Sequence, residues 1–222
     1  MIKGSVTDEE GLWDGEGFGD ESIIRTLEKI MLGERQFLSI RELSVGGLFA
    51  ALIAVGAFIK VTLPTEPFPM HFTMQWFFVL LAGLMLNKKA AAASVGVYLL
   101  VGLSGVPVFA AGGGPSYLIR PTFGYLLGFA AAAYVTAWFC ENIRFLNYIK
   151  LLMISVLGML VYYGIGVLYY WLVCRIIISQ EVTWQILLFQ CFLLTAGEDF
   201  ILCAAAASVA VKLRGAVRRT LY

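Results

Sequence analysis

The chain has 222 residues, of which 60% are hydrophobic and only 14% are charged. Soluble domains contain about 45–50% apolar and about 25% charged residues, so this composition predicts an integral membrane protein. The formal net charge of +1 gives no electrostatic basis for binding nucleic acid. With a single histidine, His71, an HExxH or multi-histidine site is excluded, and we expect neither a metal nor a bound cofactor. No lysine follows a glycine, so a Walker A loop is absent and any ATP hydrolysis is expected in separate subunits.

The N-terminal region divides into two parts. Residues 1–21 hold seven carboxylates and five glycines, which predicts an acidic flexible tail. Residues 22–40 place apolar side chains at helical spacing with charged ones opposite, which predicts an amphipathic helix on the cytoplasmic membrane surface. An ordinary juxtamembrane helix is the alternative.

Six hydrophobic segments follow and predict an all-α membrane domain of six transmembrane helices over residues 41–214, with a short basic cytoplasmic tail at 215–222. The segments cover roughly residues 43–63, 72–86, 90–104, 122–140, 151–178 and 184–213. The second and third reach only about 22 Å against a hydrocarbon core of about 30 Å, so their connecting loops should dip into the bilayer. The sixth is too long for one span, and Gly197-Glu198-Asp199 near its middle predicts a break into two half-helices.

The distribution of basic residues predicts the orientation. Twelve lysines and arginines fall on one side of the predicted spans, against three on the other side: Lys60, Arg120 and Arg175. The positive-inside rule then places both termini in the cytoplasm of a multi-pass plasma-membrane protein.

All six prolines lie in two stretches that this orientation turns outward, at 64–69 and 107–121. The second stretch also contains the triplet 112–114 of glycines. Prolines combined with glycines favour structured, non-helical loops. We therefore expect two outward-facing loops to close a substrate pocket.

Charged residues are rare inside the segments and mark candidate ligand contacts. Arg120, after the glycine triplet, is placed to hold an anionic group, or else to snorkel to lipid headgroups. Asp199 is placed to accept a ligand N–H, or else to cap a helix. Glu198 is ambiguous between capping and contact.

Uncharged candidates flank the two loops. Thr73 and Gln75 open the second segment and are plausible hydrogen-bonding partners. Tyr117 and Trp76 are aromatic candidates, with an interfacial aromatic belt as the alternative. His71, alone in a proline-rich loop, is interpreted as an ordinary loop residue.

The first segment carries small residues at every fourth position: Gly46, Ala50 and Ala54, with Gly47 and Ala51 beside them. Small residues let a second helix approach closely. This face packs either within the chain or against a separate transmembrane subunit.

Several stretches resemble the BioY family of biotin-specific S-components of energy-coupling factor (ECF) transporters. Residues 102–114, GLSGVPVFAAGGG, resemble the family's GLPVFAGGGG signature, and residues 120–129, RPTFGYLLGF, resemble its GPTGGYLIGF segment. Residues 72–75, FTMQ, with 78–83, FVLLAG, are similar to its PFTLQ and FVLLAG stretches, and 197–201, GEDFI, to its PGDLIK segment. The resemblance extends in order over about residues 41–214.

The resemblance implies high-affinity capture and uptake of biotin, with a transmembrane coupling subunit and two ATPase subunits as partners. The implied contacts include Phe109 and Gly113 of the signature, with Asp199 for the ureido N–H groups and Gln75 for the ureido carbonyl. The family's lysine falls on Leu202, so we expect Arg120 to meet the ligand carboxylate. The implied docking face is Gly46, Ala50, Ala51 and Ala54.

Two other classes remain open. An S-component for a different small vitamin would share the fold and differ only in its pocket. An intramembrane enzyme would use Glu198 and Asp199 as acid and base, although neighbouring helical residues point about 100° apart. A channel is disfavoured because no line of polar residues follows any segment.

Overall fold

The computed structural model describes residues 40–63, 70–178 and 194–221. In these ranges the chain forms six α-helices, an antiparallel hairpin and a short 3₁₀ helix at Pro115–Ile119. The helices and strands, in chain order, are α1 (Ile40–Phe58), β1 (Lys60–Leu63), β2 (Met70–Thr73), α2 (Gln75–Met85), α3 (Lys88–Leu103), α4 (Phe123–Asn142), α5 (Tyr148–Ile176) and α6 (Leu194–Leu221). The predicted acidic tail, the predicted surface helix up to residue 39 and the proline loop 64–69 lie outside the described residues.

Three described helices are long and apolar enough to cross a membrane: α1, α4 and α5, with 19, 20 and 29 residues. At about 1.5 Å per residue they extend about 28 to 44 Å, against a hydrocarbon core of about 30 Å. Helix α2 has 11 residues, or about 16 Å, and cannot span alone. The prediction of a short second helix is therefore confirmed.

Helix α2 lies at the centre of the helical packing. Nine of its eleven residues are buried, and it contacts α1, α3, α4 and α6. At its crossing with α4, a Cβ on Gly83 would lie 1.9 Å from the Thr136 hydroxyl oxygen, so only glycine allows this approach. A short helix surrounded by longer ones satisfies its backbone without meeting lipid.

The turns between the helices follow from local sequence. Helices α2 and α3 are joined by two residues, and the Asn87 side chain caps α3 by accepting a hydrogen bond from the Ala90 N–H at 2.7 Å. Asn147 caps α5 in the same way, accepting from the Lys150 N–H at 3.0 Å. These caps satisfy N–H groups that the first turn of a helix leaves unpaired.

The hairpin is a departure from the all-α prediction. The first predicted segment extends to residue 63, but α1 ends at Phe58 and the chain continues as β1. Strand β1 pairs with β2 in a register that sets Lys60 opposite Thr73 and Thr62 opposite His71. Strands of four residues are too short to show a clear period-two pattern, which is why the apolar run was assigned to the helix.

The predicted break in the sixth segment is wrong. Helix α6 begins at Leu194 and continues without interruption through residues 197–199 and through the predicted basic tail to Leu221. A single glycine inside a helix costs only about 1 kcal/mol relative to alanine, so Gly197 does not end the helix. Asp199 consequently lies in the second turn of α6 rather than at a helix start.

Candidate functional site

A pocket lies between the hairpin, the glycine-rich loop and helices α2, α4, α5 and α6. Including the open solvent at its mouth it encloses about 690 Å³. Its aromatic lining residues are His71, Phe72, Trp76, Tyr117, Tyr125, Phe129, Tyr162 and Tyr163. The remaining lining residues are Thr73, Gln75, Ala110, Thr122, Leu126, Thr195 and Asp199.

The polar end of the pocket is built around Asp199. One carboxylate oxygen, Oδ2, accepts hydrogen bonds from the hydroxyls of Tyr162 and, at 2.6 Å, of Tyr163. The Tyr163 hydroxyl is also 2.5 Å from Oγ1 of Thr195, one turn earlier on α6. Because both tyrosines engage Oδ2, the hydrogen bonds among the described residues leave Oδ1 available as an acceptor for a ligand N–H.

Asp199 is positioned by the packing of α6 against α5. The two tyrosines that hold it are neighbours on α5, with ring centroids 4.4 Å apart and ring planes within 30°. Tyr162 is fixed in turn by the α4–α5 crossing, where a Cβ on Gly128 would lie 2.7 Å from the Tyr162 carbonyl oxygen. The carboxylate is therefore oriented by the tertiary structure before any ligand arrives.

Trp76 forms an apolar wall beside this carboxylate. Its ring centroid lies 4.4 Å from that of Tyr162 and 5.7 Å from that of Phe129. Trp76 is only 1% exposed. The structure thus places this side chain in the pocket wall and not in an interfacial belt.

Gln75 and Thr73 line the pocket where β2 meets α2. The Gln75 amide nitrogen donates to the Tyr98 hydroxyl at 2.5 Å, and its oxygen accepts from the Thr73 hydroxyl at 3.2 Å. Tyr98 donates in turn to the carbonyl oxygen of Val108 in the glycine-rich loop, at 3.3 Å. This chain of hydrogen bonds ties the hairpin, α2 and the loop into one wall.

The glycine-rich loop presents Tyr117 to the pocket. Phe109 is 2% exposed and lies beneath Tyr117, with ring centroids 4.7 Å apart. Gly113 packs against the backbone at Val106, where a Cβ would lie 2.2 Å from the carbonyl oxygen. The structure therefore places Phe109 and Gly113 behind the lining residues, where they shape the loop.

Three basic side chains, Lys60, His71 and Arg120, form what we term the cationic mouth. Lys60 and Arg120 are exposed, and the Lys60 ammonium donates to the carbonyl oxygen of the lining residue Ala110. The Arg120 guanidinium lies over the Tyr117 ring at 5.2 Å from its centroid, and Arg120 itself is not a lining residue. His71 Nδ1 is 2.9 Å from the Thr62 hydroxyl oxygen.

The cationic mouth affects the titration of its own histidine. Partial burial lowers the pKa of His71 from its ordinary value of 6.5, and the positive charges of Lys60 and Arg120 lower it further. The surroundings of His71 therefore favour its neutral imidazole form. Contrary to its interpretation as an ordinary loop residue, His71 lines the pocket.

The structure separates Glu198 from Asp199. Both lie on α6, but only Asp199 lines the pocket, as expected for helix neighbours about 100° apart. Leu202, at the position of the family lysine, is 8% exposed and belongs to the hydrophobic core. Among the described residues, no group of three or more His, Cys, Asp or Glu side chains is placed to hold a metal ion.

The small-residue face of α1 divides into a covered and an open part. Gly46 and Ala50 are buried, and Ala54 is partly buried against the core. Gly47 and Ala51, one position further around the helix, are exposed. As a correction, Gly46 and Ala50 pack within this chain, and only the neighbouring row is open to another helix.

Several lining residues were not foreseen from the sequence, above all Tyr162, Tyr163 and Thr195. The available signal was the adjacent pair of tyrosine hydroxyls within an apolar segment, since a hydroxyl there needs a hydrogen-bonding partner. Which of the several tyrosines on α5 meets Asp199 depends on how the two helices pack.

Comparison with known proteins identifies relatives of this chain. A probable biotin transporter BioY of Lysinibacillus sphaericus is 36% identical over 183 residues, which cover 82% of this chain and 90% of that protein. A biotin transporter BioY of Thermotoga maritima is 40% identical over 129 residues, covering 58% of this chain and 73% of that protein.

The fold matches a solved structure as well. A crystal structure of the S-component for biotin from an ECF-type ABC transporter aligns with a TM-score of 0.68 at 21% identity, covering 79% of this chain and 92% of that one. At this identity the likeness shows the fold. The model of the BioY family matches residues 30–219, and the chain accordingly belongs to the BioY family.

Proposed function

We propose that this chain captures biotin at the outer face of the plasma membrane and serves as the substrate-specific subunit of an ECF-type transporter. The observation that carries the proposal is Asp199, held by Tyr162 and Tyr163 at the polar end of an aromatic-walled pocket. The names of the BioY relatives support the same ligand.

The chemistry of biotin suits the two ends of the pocket. Its ureido ring has two N–H donors, for which Asp199 is an acceptor, and a carbonyl, for which the second N–H of the Gln75 side-chain amide is a donor. Its fused apolar rings fit between Trp76 and Tyr117. Its acidic tail then extends towards the cationic mouth, with Arg120 close by. Phe109 and Gly113 act by supporting Tyr117 and the loop.

The membrane topology is part of this proposal. We assign six transmembrane passages with both termini in the cytoplasm, which puts the cationic mouth on the outside. Two ATPase subunits and a transmembrane coupling subunit would supply the energy and the release step. Docking on the coupling subunit would use the exposed row of α1, Gly47 and Ala51, with Ala54 at its edge.

Direct binding tests the proposal. The detergent-purified chain, without other subunits, is titrated with biotin by calorimetry, and with thiamine and riboflavin as competing vitamins. Saturable one-to-one binding of biotin alone supports the proposal. Preference for another vitamin would move the chain to a different S-component specificity. A folded sample that binds none of the three would refute the proposal.

A further inference from the structure

Among the residues that the structure describes, the hydrogen-bonding partner of the Lys60 ammonium is a neutral group. The ammonium donates to the carbonyl oxygen of Ala110, 50 positions along the chain. Of the four carboxylates in the described ranges, Glu42 pairs with Asn87 and Glu141 with Lys88. The other two, Glu198 and Asp199, lie on α6. Glu66 and Glu181 fall outside the described residues.

The register of the hairpin pairs Lys60 with a residue that lines the pocket. Alternate residues of a strand share one face, so Lys60 and Thr62 lie on the same face of β1. They stand opposite Thr73 and His71, both of which line the pocket. The Ala110 carbonyl that Lys60 contacts belongs to a lining residue as well.

Arg120 is placed differently. Its guanidinium rests on the Tyr117 ring, whereas the Lys60 ammonium donates to a backbone oxygen, and neither residue is itself part of the lining. The positive charges of both residues lower the pKa of His71. Lys60 therefore has a hydrogen bond to a carbonyl oxygen that a ligand oxygen can replace.

This inference depends on the proposed function. We infer that Lys60 recognises the acidic tail of the ligand, so that the chain binds the free acid more tightly than its neutral amide. The ammonium exchanges the Ala110 carbonyl for the ligand carboxylate. A charge-assisted hydrogen bond is about twice as strong as a neutral one, so this exchange is favourable for the acid. With the amide, the ammonium gains nothing over its contact with Ala110.

The test compares biotin with biotinamide, in which a neutral carboxamide replaces the carboxylate at the end of the tail. Both are titrated against the purified full-length chain as wild type, Lys60→Gln and Lys60→Arg. Lys150→Gln is the matched control, because the Lys150 ammonium also donates to a backbone carbonyl, that of Phe145 at 2.9 Å, but outside the pocket. Binding of biotinamide by each variant shows that its pocket is folded.

For the wild type we expect biotin to bind about ten-fold more tightly than biotinamide. Lys60→Gln should lose about ten-fold for biotin and stay within about two-fold for biotinamide, while Lys60→Arg and Lys150→Gln keep the preference. If Lys60→Gln lowered the affinities for biotin and biotinamide equally, Lys60 would only stabilise the glycine-rich loop, and the inference would be overturned. An unchanged preference of Lys60→Gln for biotin over biotinamide would overturn the inference as well. A wild type that binds neither ligand would instead refute the proposed function, and this inference with it.

Discussion

Replacing Asp199 by asparagine tests the polar end of the pocket with the smallest possible change. Asparagine has the shape of aspartate but only one acceptor oxygen, and its other terminal group is an N–H₂ donor. The two tyrosine hydroxyls can donate to the remaining oxygen, as they do to Oδ2 in the wild type. The position that faces the ligand then becomes a donor, which opposes the N–H groups of a ureido ring.

The size of the effect follows from the contact that is lost. A hydrogen bond to a charged group contributes about 1.5–3 kcal/mol, so Asp199→Asn should weaken biotin binding roughly 10- to 150-fold. The thermal unfolding midpoint should change little because the contacts with Tyr162 and Tyr163 are kept. Calorimetry gives the affinity, and thermal unfolding in the same detergent gives the stability.

Glu198→Gln is the matched control, since it removes the neighbouring carboxylate, which does not line the pocket. It should bind biotin within about two-fold of the wild type. If Asp199→Asn binds as tightly as the wild type, or if Glu198→Gln loses as much, then the assignment of Asp199 as the ureido acceptor is wrong.

Four further outcomes are expected. Gly128→Ala should lower both the unfolding midpoint and the affinity for biotin, because its Cβ would lie 2.7 Å from a backbone oxygen of the facing helix. Gly96→Ala is the control and should lower neither, because the space around Gly96 is open. Equal effects of the two substitutions would contradict the close crossing of α4 and α5. Because the pKa of His71 is lowered in the folded chain, the unfolded chain binds the imidazole proton more readily. The contribution of neutral His71 to the free energy of unfolding is therefore complete above about pH 6.5 and is lost as the pH falls through the folded pKa. The thermal unfolding midpoint should fall between pH 7.5 and 5.5, and it should fall less in His71→Gln. Ala51→Trp, on the exposed row of α1, should keep biotin binding but abolish co-purification with the coupling subunit, and unchanged co-purification would remove this face from the docking proposal. Deleting residues 1–21 should leave the affinity for biotin unchanged by calorimetry, and a large loss would overturn the prediction of an independent flexible tail.

Much of the architecture was predictable because it depends on local properties of the chain. Long apolar runs indicate membrane helices, and the short second run correctly predicted a helix that cannot span on its own. The rarity of carboxylates in apolar segments likewise singled out Asp199, which lines the pocket.

Other features were misjudged where two local signals compete. Gly197 with two adjacent carboxylates predicted a helix break, but the tyrosines of α5 satisfy Asp199 and the helix continues. The apolar residues before Pro64 were assigned to α1, although Lys60–Leu63 forms a strand paired across a loop. In both cases a partner distant in sequence decided the local conformation.

By itself, the sequence determined the class of the protein, the approximate positions of its helices and the carboxylate at the centre of its pocket. These follow from hydrophobicity and charge, which each segment carries whatever its neighbours are. Only the tertiary structure decided that Tyr162 and Tyr163 hold Asp199, that Gly46 and Ala50 are covered while Ala51 is open, and that Lys60 reaches Ala110. The hydrogen bonds among these join residues that lie far apart in the chain, and the burial of the α1 residues depends on which way each faces around the helix. Only the packing of the helices decides either.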